Sequence, residues 1–116
     1  DLWTNDVDRA AAFYRAVAGY ETVPVADDGP RSGLHLVSGR LARAGVMQKN
    51  SKKSSPTWLP YIRVADVAAS VTAAKAADGK VLLEPLAIGS ATVAIIADPT
   101  GAPVGIVQVS ASEAQP

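Results

Sequence analysis

The sequence predicts an α+β fold built from two tandem βαβββ modules. Three observations predict it: a self-similarity at an offset of 60 residues, two stretches with helical periodicity, and short β-type runs set off by turn signals. The segment "ARAGVMQ" at 42–48 returns as "APVGIVQ" at 102–108. Laid over itself at that offset, the chain puts Asp6-Val7 on Asp66-Val67, Ala16 on Ala76, Gly19 on Gly79, Gly45-Val46 on Gly105-Ile106 and Gln48 on Gln108. The turn "SGRL" falls over "DPTG", and no gap is needed. An alanine-rich composition gives scattered matches. It does not readily give matching helix ends, turns and final strands in one register.

The first helix is "NDVDRAAAFYRAVAGY". Val7, Ala10, Ala11, Tyr14, Val17 and Ala18 recur at i, i+3, i+4 spacing and form one apolar stripe. Asn5 or Asp6 caps it, Asp8 suits the first turn, and Gly19 stops it. The second helix, "ADVAASVTAAKAADGK", has Val67, Val71 and Ala74 as its stripe, Asp66 as cap and Gly79 as stop. The β-type runs are "YETVPV" (20–25), "GLHLV" (33–37), "RAGVMQ" (43–48), "LPYIRV" (59–64), "KVLLEPL" (80–86), "TVAIIA" (92–97) and "PVGIVQ" (103–108). Turns are expected at "DDGP" (27–30), "SGR" (38–40) and "DPTG" (98–101). The polar segment "KNSKKSSP" (49–56) is expected to be a solvated linker, with a basic binding patch as the alternative. The tail "SASEAQP" is expected to fray. The organisation is thus one domain over 1–116, with module one at 1–48, a linker at 49–57 and module two at 58–110.

Bulk properties exclude several function classes. Apolar residues make up 48% and charged residues 19%, a globular composition, and the net charge is zero. No broad electrostatic attraction to nucleic acid or an anionic membrane follows from such a balance. With no cysteine there is no disulfide, thiolate nucleophile or cysteine metal site. No apolar run approaches the roughly 20 residues of a membrane span, and no signal segment is visible, so a cytoplasmic location is the default expectation. One histidine and no nucleophile elbow leave no Ser/His/Asp arrangement, and "DPTG" and "ADGK" are not phosphate-loop fragments.

Strand alternation assigns faces. Ile62 and Val64, and at the matching positions Leu2 and Thr4, should pack under the helices. Asp1, Trp3, Tyr61 and Arg63 should lie on the other face. Two curved sheets side by side would direct these four residues into a shared concave groove.

The stretches "DLWTNDVDRAAAFYRAVAGYE", "PYIRVADVAASVTAAKAADGKVLLEP" and "VAIIADPTGAPVGIVQ", together with the repeat, resemble the glyoxalase/bleomycin-resistance/extradiol-dioxygenase superfamily, also called vicinal oxygen chelate proteins. The resemblance implies an eight-stranded, cup-like mixed sheet with the ligand inside. It also implies that family enzymes hold a divalent metal through His or Glu on the first and last strand of each module. The last-strand positions here are Gly45 and Gly105, and the first-strand position of module two falls at Leu59 or Pro60, none of which offers a ligating side chain. The counterpart in module one lies before Asp1. A metal site needs several converging N or O donors. No metal and no cofactor is therefore expected, unless Asp1, His35 or Glu84 builds a site of a different geometry.

The expected ligand contacts are Asp1, Trp3, His35, Gly45, Met47, Trp58, Tyr61, Arg63 and Gly105, with no catalytic residue. Trp3 and Tyr61 would stack on a planar or cationic ligand, or fill the cup themselves. Trp58 would cover the cup mouth or pack the linker. Arg63 would bind a ligand carboxylate, or pair with Asp1. His35 is either a general base or a satisfied strand histidine. Met47 suits a loosely specified pocket or plain core. Gly45 and Gly105 clear the floor of the cup, for a ligand or for close backbone packing.

The resulting expectation is a metal-free protein that binds a small organic molecule, aromatic or antibiotic-like, as in the bleomycin-resistance branch. The alternatives are a divalent-metal lyase, isomerase or dioxygenase, and a non-catalytic assembly module. A homodimer is the partner state that the resemblance suggests; neither nucleic acid nor a membrane is expected.

Overall fold

The computed structural model describes residues 1–25, 33–49 and 55–109. The expected turn at 27–30, most of the segment 49–56 and the tail lie outside the described residues. The chain divides into two compact units, Asp1–Trp58 and Leu59–Pro116. In chain order the elements are β1 (Leu2–Thr4), α1 (Val7–Ala18), β2 (Glu21–Pro24), β3 (Gly33–Ser38), β4 (Leu41–Gln48), β5 (Thr57–Trp58), β6 (Tyr61–Arg63), α2 (Val67–Ala76), β7 (Lys80–Ile88), β8 (Ala91–Ala97) and β9 (Pro103–Gln108). One sheet runs β2-β3-β4-β1-β5 and the other β6-β9-β8-β7.

The 60-residue offset is realised in the strand register. In the first unit β1 runs parallel to β4, with Leu2 opposite Val46 and Trp3 opposite Met47. In the second, β6 runs parallel to β9, with Ile62 opposite Ile106 and Arg63 opposite Val107. The antiparallel pairs repeat likewise: His35 faces Gly45, and Ile95 faces Gly105. The repeated glutamines have a common purpose. Gln48 Nε2 donates to the Asn5 carbonyl at 2.9 Å, and Gln108 Oε1 accepts from the Val67 N–H at 2.9 Å. Each thereby ties the last strand of its module to the start of that module's helix.

Both helices are capped as the sequence predicts. The Asp6 carboxylate accepts the Arg9 N–H, and the Asp66 carboxylate accepts the Ala69 N–H. Helix α1 ends at Gly19, left-handed at φ 70°, whose N–H bonds the Arg15 carbonyl. Helix α2 ends differently. Asp78, at φ 65°, takes the left-handed position assigned to Gly79, and the Asp78 and Gly79 N–H groups bond back to Lys75 and Ala74 in a Schellman arrangement. Gly79 is needed for closeness: a Cβ there would lie 2.9 Å from the Ala97 carbonyl oxygen.

Each helix covers one face of its sheet. In the first unit Leu2, Leu36 and Val46 form the core, with Val7, Ala10 and Tyr14 packed against it. In the second, Val67, Val71, Ala94 and Ile106 do so, with Val64, Val81 and Ile96. Each fully buried Val or Leu contributes about 1.5–3 kcal/mol relative to exposure. Val17, placed on the apolar stripe of α1, is instead exposed.

The two units differ at one edge. Thr57 and Trp58, expected at the end of the linker and the start of module two, form a ninth strand that pairs with β1. Lys49 N–H bonds the Thr4 carbonyl, so the chain is held to β1 both before and after the intervening segment. Leu2, opposite Trp58, is 6% exposed, whereas Ile62 at the matching place on β6 is 55% exposed. Ile62 was expected under the helix. It lies at the sheet edge, where no described strand plays the part of β5. The turns also differ: two residues join β3 to β4, and five join β8 to β9.

The longer turn is organised by Asp98, which accepts the Thr100 hydroxyl at 2.6 Å and the Thr100 and Ala102 N–H groups. The Thr100 hydroxyl first, and then these N–H groups, hold the Asp98 carboxyl below the ordinary 3.8. A depressed folded-state value stabilises the fold above the unfolded value, and that stabilisation is lost as pH falls through the folded value. Thr100→Val should raise the Asp98 midpoint, read by NMR titration, and so diminish this share of the acid sensitivity. An unchanged midpoint would contradict the assignment.

Candidate functional site

The face of each sheet away from its helix carries most of the expected site residues. In the first unit one cross-strand row runs Val23, His35, Gly45, with Asp1 beside Gly45. The next row pairs Gly33 with Met47 and Met47 with Trp3. In the second unit Tyr61 lies beside Gly105 and Arg63 beside Val107. Trp3, His35 and Tyr61 are half-buried, Met47 is buried and Arg63 is exposed.

The two last-strand glycines do not leave vacant floor. A Cβ on Gly45 would lie 2.6 Å from Asp1 Oδ1, so the Asp1 carboxylate roofs that glycine. A Cβ on Gly105 would lie 2.7 Å from Tyr61 Cζ, with other ring atoms nearer still. Asp1 and Tyr61 are themselves related by the 60-residue offset. Each module therefore lays the side chain that precedes or opens its first strand over the glycine of its last strand. The sequence reading left a ligand or close packing as the reason for these glycines; the described structure has side-chain packing there. Met47 lies over Gly33 in the same way, its Sδ 2.6 Å from where a Cβ would be. Gly33 was not singled out from the sequence, because a glycine at a strand start carries no distinguishing signal.

Trp58 lies on the helix side of its sheet. Its Nε1 donates to the Tyr14 hydroxyl at 3.0 Å, and the two rings meet edge to face at 5.3 Å. It is grouped by geometry with α1, apart from Trp3 and His35. Glu84, the further carboxylate considered for a metal, sits 3.9 Å from Lys75 in an exposed ion pair on the helix side of the second sheet.

Gly45, Gly105, Leu59 and Pro60 supply no ligating side chain, and no group of three His, Cys, Asp or Glu that could hold a metal ion occurs among the described residues. No helix among them is long and apolar enough to cross a membrane.

Two helices, each crossing between parallel first and last strands, define a tandem βαβββ protein, and comparison with known proteins places it. The glyoxalase-like domain family matches residues 1–107, and the chain belongs to that family, within the vicinal oxygen chelate superfamily. The fold is shared with methylmalonyl-CoA epimerases. A variant of the Streptomyces coelicolor epimerase, in complex with 2-nitronate-propionyl-CoA, has a TM-score of 0.68 at 17% identity, over 95% of this chain and 91% of that one. The Mycobacterium tuberculosis epimerase has a TM-score of 0.65 at 16% identity, over 97% and 87%. An epimerase in complex with methylmalonyl-CoA and NH4+ has a TM-score of 0.67 at 17% identity, over 95% and 91%. No curated protein matches the chain.

The two glycines give a stability test. Gly105→Ala forces the body of the Tyr61 ring to move and should cost about 1–3 kcal/mol in urea denaturation. Gly45→Ala meets the far end of a flexible side chain and should cost less. Equal, negligible costs would contradict the roofing described above.

Proposed function

We propose that this chain binds a small organic molecule, aromatic or antibiotic-like, on the helix-free faces of its sheets, without a metal and without making a bond. The observation that carries the reading is the composition of those faces. Trp3 and Tyr61 supply flat apolar surface, Asp1, His35 and Arg63 supply a few polar groups, and Gly45 and Gly105 occupy the positions to which the family resemblance assigns a metal-binding carboxylate. Apolar walls with a small number of polar groups are what small-molecule sites commonly present. The ligand complexes of epimerases with this fold support a small organic ligand. In this reading binding rests on shape, stacking and apolar burial.

Elemental analysis of the purified protein, with add-back of zinc, nickel, manganese and iron, should find near-zero metal and no uptake. Roughly one tightly held ion per chain would overturn the metal-free reading and favour a divalent-metal enzyme. For a ligand found by screening tryptophan fluorescence, Trp3→Ala or Tyr61→Ala should weaken binding by roughly 1–3 kcal/mol. Wild-type affinity in both variants would show that the ligand sits elsewhere.

A further inference from the structure

A concavity lies on the helix side of the first sheet, along the flank of α1, and the reading above does not use it. It is an open depression of about 450 Å³, and small-molecule sites span roughly 300–1,000 Å³. Leu2 forms part of its floor, Phe13 and Tyr14 an aromatic wall, and Pro56 borders it from the β5 side, while Asp6 and Arg9 stand at its rim. Phe13 and Tyr14 meet edge to face at 5.1 Å, and Trp58 continues the aromatic series beyond Tyr14.

The internal repeat serves as a control for what the fold itself requires. At the offset of 60, Arg9, Phe13 and Tyr14 become Ala69, Ala73 and Ala74, yet α2 is capped and packed on its sheet like α1. Tyr14 and Trp58 have a structural use, since they cover Leu2. Phe13 and Arg9 do not share it: Phe13 is 58% exposed, and Arg9 is exposed with its guanidinium in no ion pair with Asp6 among the described residues. Phe13 is thus a large, mostly exposed ring that the sister module omits, and it stands beside the concavity.

The rim defines the ligand. Asp6, Arg9 and Phe13 are spaced three and four residues apart and share one side of the helix. One oxygen of Asp6 caps the helix, and its carboxylate retains acceptor capacity for an ammonium group. The Arg9 guanidinium suits a carboxylate. The wall of Phe13 and Tyr14 suits a ring. We propose that this concavity binds a free aromatic amino acid, with its ammonium at Asp6, its carboxylate at Arg9 and its ring on Phe13 and Tyr14.

The test is an NMR titration of the whole chain with L-phenylalanine, using phenethylamine and phenylacetate as comparators with one charge each. Phenylalanine should shift the Arg9 and Phe13 amides and the Trp58 indole, with an affinity about tenfold above either comparator, as one charge-assisted hydrogen bond supplies. Arg9→Gln should remove that advantage over phenethylamine. Asp6→Asn, which keeps a capping side chain, should remove the advantage over phenylacetate. Phe13→Ala, at an exposed position, should weaken all three. Three results would overturn the proposal: no shift at about 10 mM, well above a Kd of roughly 1 mM; equal binding of all three compounds; or shifts centred on Trp3, Met47 and Tyr61. The last would reject this site while supporting the helix-free faces as the binding surface.

Discussion

The parallel pairing of the first and last strand within each module is the constraint on which the rest depends. Parallel strands cannot be joined by a tight turn, so β1 must reach β4 through a helix and a hairpin, and β6 must reach β9 in the same way. The crossover puts a helix over one face of each sheet and leaves the other face to different chemistry. It also brings a residue at the start of the module beside one about forty-four positions later, as with Asp1 and Gly45, or Tyr61 and Gly105. The glycines, the roofing side chains and the repeated glutamines are consequences of that one adjacency.

Much of this was legible in the sequence because it is periodic or local. Apolar spacing marked Val67 and Val71 as core, and Asp6 and Asp66 were readable as caps because a carboxylate before an apolar run satisfies free N–H groups. The offset of 60 held because it preserves register, and register decides which side chain faces which way. What escaped was decided by tertiary neighbours. Ile62 alternates like a core residue, but nothing in its own segment indicates whether another strand will lie beside it. Thr57 and Trp58 are too few for a strand pattern and are strand only because β1 is there to pair with. Trp58 could be recognised as a large aromatic next to a strand, but its hydrogen bond to Tyr14, forty-four positions away, leaves no local signature.

The modules share one plan but not one surface. Where α1 carries Arg9, Phe13 and Tyr14, α2 carries three alanines, and the second unit exposes Ile62 where the first shields Leu2. On the helix-free faces the difference concerns charge and ring: a carboxylate covers one glycine and a phenol the other. The repeat supplies the framework, and the two halves dress it with different side chains. The family assignment describes the framework.

The segment between Lys49 and Thr57 has a consequence for how the chain tolerates insertion. Both of its ends are held to β1, one by the bond from Lys49 to Thr4 and the other by the pairing of Thr57 with Trp3. Both of those anchored ends belong to the first unit, which runs to Trp58. Extra residues placed between those ends would lengthen the circuit that they close, and each doubling would cost only about 0.6 kcal/mol of closure entropy. Additions between these two anchors therefore leave the pairing of β1 intact at little entropic cost.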